Sequence, residues 1–283
     1  MKTLSEKAML ASLNISCWDR YKFDAKVSNE VAAQHNTTNK AGRYNKNLLA
    51  FNPDSYKAVT GLAGEARQTH YKHTLPWSDE GSRILPCANW QKYTDTMRTL
   101  QTKFNIAAQE FVIDAPALFA RSLRELNGLG NAADFPTMQK LSGSFDFRIK
   151  FSPFPTADDF RVTLQPTDMA AIRSELETNV NAAVAEAMKE PFKRLYEVVR
   201  KMAETLGNSD AIFRDTLVTN VEELLEVLPK LNLTDDVELT GMCQLIQQSL
   251  VVDPDTLRQN KYIRSDTATR AKTIMDNLAS FMA

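Results

Sequence analysis

Glycine is scarce in this sequence, with nine residues in 283. There is no Walker A run and no Gly-x-Gly-x-x-Gly, and so few glycines leave little room for a loop that cradles phosphate on backbone amides. Nucleotide hydrolysis by the chain itself is not expected. Histidine is rarer still, with only His35, His70 and His73. With no Gly-x-Ser-x-Gly elbow either, a Ser-His-Asp or Cys-His enzyme has thin support. The three cysteines, Cys17, Cys87 and Cys243, are odd in number and far apart, and they read as buried thiols. No apolar run approaches the ~20 residues of a membrane span. The first seven residues, Met1 to Lys7, carry no signal-peptide core. The chain is read as cytoplasmic.

What is present is apolar material, 43% of residues, enough for a sizeable core in one large domain or two small ones. Net charge is −1 but unevenly spread. Residues 1–100 carry 14 Lys and Arg against nine acids, whereas residues 209–255 carry only Arg214 and Lys230 against ten. Residues 256–283 turn basic again, five against two. Such alternation suits contact within the chain or between subunits as readily as a nucleic-acid site.

The longest helical pattern covers residues 167–206. Met169, Ile172, Leu176, Val180, Val184, Ala187, Leu195, Val198, Met202 and Leu206 fall mostly three or four apart. Thr167 is placed to cap it, Gly207-Asn208 to stop it and Pro191 to kink it. At ~1.5 Å per residue it would reach roughly 60 Å, longer than one core needs, so it is expected to pair with other helices. A second long helix is predicted over residues 88–127, kinked or divided at Pro116. Shorter helices are predicted over 22–35, 54–71, 209–231, 236–251 and 265–282. Alternation predicts strands over 11–18, 145–151 and 160–164. Residues 36–47, polar and carrying Lys40, Arg43 and Lys46, read as a mobile surface loop, although these cations could meet a phosphate. The expected fold is α+β, mostly long antiparallel α-helices with one small antiparallel β-sheet. Residues 1–166 would hold the sheet and the first long helix, and residues 167–283 a helical bundle or arm packed on them.

The most idiosyncratic stretch runs from His70 to Cys87. Leu75-Pro76 and Leu85-Pro86 flank a turn at Ser78-Asp79-Glu80-Gly81, which predicts an ordered, hairpin-like loop. His70 and His73 are spaced to share a metal, with Asp79, Glu80 or Cys87 as the third ligand, but no zinc spacing is present. Surface histidines are the plainer reading, and no metal or cofactor is expected. Asp79 and Glu80, adjacent acids in a turn, read as solvated rather than as an acid–base pair. From Tyr71 to Lys92, aromatics and cations interleave: Tyr71, Lys72, Trp77, Arg83, Trp90 and Lys92. A single-strand nucleic-acid platform uses that mixture, and tryptophans anchoring a proline-rich loop in the core produce it too. The candidate binding loop is therefore His70, Lys72, His73, Trp77, Arg83 and Trp90.

Several of these motifs together resemble an uncharacterised domain family of bacteriophages, plasmids and integrative elements. They are Leu13-Asn-Ile-Ser-Cys-Trp18, Thr74-Leu-Pro76 with Gly81-Ser-Arg-Ile-Leu-Pro86, the 145–151 and 160–164 strands, and Leu228-Pro-Lys-Leu-Asn232. Members are often encoded near a MoxR- or cobaltochelatase-like AAA ATPase and a von Willebrand A-domain protein. The resemblance implies an accessory role beside such an ATPase and supplies no site residues. The expectation is a non-enzymatic interaction protein, with self-association or a protein partner docking through the helical half, where residues 209–255 are acidic and 256–283 basic. The alternative is a single-stranded nucleic-acid-binding protein using residues 70–92.

Overall fold

The structure, a computed structural model, describes residues 4–77, 81–155 and 166–281, the side chains of 166–168 excepted. A short α1 (Leu4–Lys7) leads into β1 (Ala8–Ser16). Then come β2 (Tyr21–Phe23), α2 (Ala25–Gln34), β3 (Asn45–Asn47) and α3 (Asp54–His73). A hairpin of β4 (Leu75–Pro76) and β5 (Ser82–Pro86) precedes α4 (Trp90–Leu126), α5 (Met138–Ser142) and β6 (Asp146–Ser152). The rest is helical: α6 (Pro166–Ala187), α7 (Lys189–Gly207), α8 (Thr216–Leu231), α9 (Val237–Leu250), α10 (Pro254–Gln259) and α11 (Lys261–Ala279). Helix accounts for 68%, beside a four-stranded antiparallel sheet in the order β4-β5-β1-β6 and a separate β2-β3 pair, so the class is α+β.

The chain divides into two compact units, and the division does not fall at the expected 166/167. Unit 1 takes Met1–Ser12, His70–Tyr93 and Lys150–Ala283; unit 2 takes Leu13–Thr69 and Thr94–Ile149. The reason lies in the sheet register. Ala8 to Ser12 pair antiparallel with Pro86 to Ser82, and Ser12 and Ser82 join their hydroxyls at 3.0 Å. Ala8, Leu75 and Ile84 then sink into the same core as the C-terminal helices.

In unit 1, α7 is the central helix. It buries Phe192, Leu195, Val199, Met202 and Leu206 against α8 and α11. The predicted arm is broken. It ends at Ala187 and restarts at Lys189, because Pro191 has no N–H for the Ala187 carbonyl. On α6, Val184 and Ala187 are buried, but Met169, Ile172, Leu176 and Val180 are only half-buried. The α8 stripe of Leu217, Val221 and Leu228 lies in the core, which settles its packing within the chain. Residues 209–215, expected as helix, form a loop instead. Arg264 ties it to the end of α7, donating to the carbonyls of Thr205 and Leu206 on the helix and of Asn208 and Ala211 beyond it. Ile212, expected inside, is 98% exposed at its crest. The cap of α9 is Asp236, which accepts from the Leu239 N–H.

Unit 2 is built on aromatics. Trp18 lies 5.4 Å from Phe119, and Tyr56 lies 5.3 Å from Phe111 while donating its hydroxyl to the Trp18 carbonyl. Phe147 of β6 reaches Phe104 of α4 at 5.6 Å. Alternation on β6 holds from Phe147, buried, through Arg148, exposed, to Ile149, half-buried, but Phe151, on the face of Phe147, is 38% exposed. The predicted strand at 160–164 and the pair Asp79-Glu80 lie outside the described residues. α4 runs through Pro116 without ending. Cysteine burial is uneven: Cys243 is buried, with its thiol pushed up to about 11 by desolvation, Cys17 is half-buried, and Cys87 is exposed against expectation. Among the described residues no helix is long and apolar enough to cross a membrane.

Candidate functional site

The predicted binding loop is spent on holding unit 1 together. His70 and His73, expected at the surface, are each only 4% exposed. Both fall on the last turn of α3, three residues apart, so they share a face, and that face turns toward Tyr93. His70 Nδ1 lies 2.8 Å from the Tyr93 hydroxyl, and the Tyr93 ring centre is 5.8 Å from His70 and 6.4 Å from His73. Burial first, and the Arg83 charge second, pull the His70 imidazole down to about 4. Burial also lowers His73, against a hydrogen bond with Asn89 that favours its protonated form. His70 Nε2 and His73 Nδ1 are buried without hydrogen-bond partners.

The cations of the loop are engaged as well. Arg83 donates to Thr74 Oγ1 at 2.7 Å and lies 4.7 Å over the Tyr71 ring. Lys72 pairs with Glu223 and Lys92 with Glu226, both at 2.6 Å. Trp77 packs on Phe154 and Trp90 on Phe151, each at 4.8 Å. Arg194 of α7 donates to the carbonyls of Tyr71, Lys72 and Thr74, closing the end of α3. His70, His73 and Arg83 thus come together around that helix end, with their polar atoms turned inward. Among the described residues, no three His, Cys, Asp or Glu side chains converge as a metal set.

On the loop Tyr71 stays 54% exposed under the Arg83 guanidinium, and a larger group of exposed aromatics and cations lies on residues 20–47 of unit 2. This stretch is tied down rather than mobile. Asp24 caps α2, accepting from the Val27 N–H at 3.1 Å. At the other end Asn36 takes φ 50°, a left-handed turn asparagine tolerates, and the Thr37 N–H returns to the Ala32 carbonyl. The loop then crosses back over α2. Asn39 Nδ2 donates to Asn29, the Tyr44 N–H to Ser28 Oγ at 3.0 Å, and the Asp24 N–H to the Tyr44 carbonyl at 2.9 Å.

Lys46 anchors it from beneath. Only 6% exposed, its ammonium reaches Asp24 at 2.9 Å, Asp134 at 2.5 Å and the Leu129 carbonyl at 3.1 Å. The Lys46 hydrogen bond holds the Asp24 carboxyl below the usual carboxylate range. Burial opposes the same shift at Asp134, where hydrogen bonds from Lys46 and Lys22 outweigh it.

Above this anchor, Tyr21, Phe23 and Tyr44 are 51%, 39% and 38% exposed. The Arg43 guanidinium lies 4.6 Å over the Phe23 ring and that of Arg20 5.3 Å over Tyr21. Lys22, Lys26 and Lys40 are exposed around them, and from Val31 to Pro53 there is no acid. Between α2 and the returning loop lies a cleft of about 370 Å³ lined by Ser28, Val31, Ala32, His35, Thr37, Thr38, Ala41, Gly42, Arg43 and Tyr44. Exposed rings offer faces for stacking and the cations offer phosphate contacts. The sequence carried a signal for this surface in Arg20-Tyr-Lys-Phe23 and Arg43-Tyr44, where cation and aromatic are chain neighbours. Comparison with protein families, curated proteins and solved structures returned no match.

Proposed function

We propose that this chain is a non-catalytic binding protein whose ligand is single-stranded nucleic acid, held on residues 20–47. The observation that carries this reading is the Arg43 guanidinium over the exposed Phe23 ring, beside Tyr21 and Tyr44, with no acid from Val31 to Pro53. The net charge of −1 does not oppose it, because screening over about 8 Å at physiological salt makes the local patch what a phosphate meets. Stacked bases are worth ~1–3 kcal/mol each, so Phe23→Ala should weaken binding roughly 5- to 150-fold. Arg43→Glu should lower both affinity and salt dependence, since each lost phosphate contact removes counterion release. Lys72→Glu, in unit 1, should leave binding unchanged. Fluorescence anisotropy of a labelled single-stranded oligonucleotide across a salt series reads all three. Absence of binding at low salt, or equal losses from Lys72→Glu and Arg43→Glu, would sink the assignment.

A protein partner is the second reading, favoured by one feature of unit 1. Ile212 stands 98% exposed on a loop that Arg264 ties to the end of α7 through the Asn208 and Ala211 carbonyls, so an apolar knob is presented at little entropic cost. The family resemblance points to a MoxR-like AAA ATPase of a phage or mobile element as that partner. A photo-crosslinking residue at position 212, with the ATPase co-expressed, tests it. Crosslinks equal to those from an exposed site on α11 would reject it.

A further inference from the structure

The cleft beside Tyr44 is a second, distinct feature of the basic surface. Its floor is apolar: Ala32 is buried on α2, and Val31 and Tyr44 form the walls at 45% and 38% exposed. Ser28, also in the lining, is buried with its hydroxyl already engaged by the Asp24 carbonyl and the Tyr44 N–H. Arg43 has no carboxylate partner among the described residues, and the same holds for Lys40 on the loop above. At about 370 Å³ it falls in the range of small-ligand pockets. The loop that forms its outer wall is fixed at both ends, by the Thr37 N–H on the Ala32 carbonyl and the Tyr44 N–H on Ser28 Oγ. The cavity is thus pre-formed, and its apolar floor and cationic mouth suit a flat ring carrying a phosphate.

Building on the reading of residues 20–47 as a single-strand surface, we infer that this cleft receives one unstacked base of the bound strand. The base lies on Ala32 and Val31 against Tyr44. The flanking phosphates meet Arg43 and Lys40, and the hydroxyls of Thr37 and Thr38 face the base edge. The strand is thereby fixed in register by one base while its neighbours stack on Phe23 and Tyr21.

Oligonucleotides carrying 2-aminopurine at one position in turn test this, because its fluorescence rises when the base leaves its stack. One position is expected to brighten several-fold on binding. Ala32→Leu, which raises the floor, should abolish that rise and weaken binding about tenfold. An abasic substitution at the same position should weaken wild-type binding equally and add nothing to Ala32→Leu. Thr37→Val is a second variant with no change of volume at the floor, and it should shift the preference between bases. Oligonucleotide binding by anisotropy with no brightening at any position overturns the inference and leaves the surface reading intact. Brightening that survives Ala32→Leu unchanged also overturns it. No binding at all removes the surface reading itself. Competition by a nucleoside monophosphate as strong as by the strand would assign the cleft to free nucleotides instead.

Discussion

His70 shows how far one side chain departs from its reading in the sequence. Its imidazole is held neutral in the fold, with a value near 4 against an ordinary 6.5. The stability it contributes is complete above pH 6.5 and is lost as pH falls toward 4, because the unfolded chain takes up the proton first. The shift corresponds to about 3 kcal/mol over that window, and His73, lowered for the same reason, adds in the same direction. Urea unfolding at pH 7, 5.5 and 4.5 should therefore show falling stability, and His70→Gln should flatten the slope. A slope unchanged by that variant would mean His70 is protonated inside the fold. Tyr93→Phe removes the partner of Nδ1 and should cost ~1–3 kcal/mol at neutral pH.

At the scale of elements, the end of α3 and the strand β6 make separate predictions. Arg194 alone serves three carbonyls at that helix end. Arg194→Ala should cost on the order of 2–3 kcal/mol, and Arg194→Lys should recover only part, since an ammonium cannot span the three acceptors. On β6, Phe147→Asp buries an unpaired charge and should cost several kcal/mol. Ile149→Asp should cost less, being half-buried, and Arg148→Asp should be nearly silent. Thermal melts in the order Phe147, Ile149, Arg148 check the register, and equal shifts would contradict it. These elements were legible beforehand. Alternation marked β6 and a helical period marked α3, α4, α8 and α9. α10 was missed, although Asp253-Pro254, a capping acid followed by proline at the first helical position, marks its start.

For the whole molecule, the charge asymmetry resolves inside unit 1. Glu223 and Glu226 meet Lys72 and Lys92, and the α8 stripe is packed in the core, so this part of the acidic face already has partners within the chain. Glu226→Lys should leave the sedimentation behaviour unchanged across a salt series and lower the melting temperature by opposing Lys92. Lys92→Glu in the same chain should recover it. Salt-dependent association that Glu226→Lys abolishes would restore the acidic face as an interface.

The sequence by itself determined the local periods. It marked where helices and strands form, where Pro191 interrupts one, and where cation and aromatic stand side by side at Arg20-Tyr-Lys-Phe23. Those properties depend on residues a few positions apart, and the chain states them directly. Only the tertiary structure decided which aromatics face water. Trp77 and Trp90 looked like a binding platform until Phe154 and Phe151 packed against them from more than 60 residues away. Tyr21, Phe23 and Tyr44 stay outside, on a stretch that Lys46 ties to Asp24 and Asp134. Burial is set by partners distant in sequence, and no local pattern records which of them will arrive.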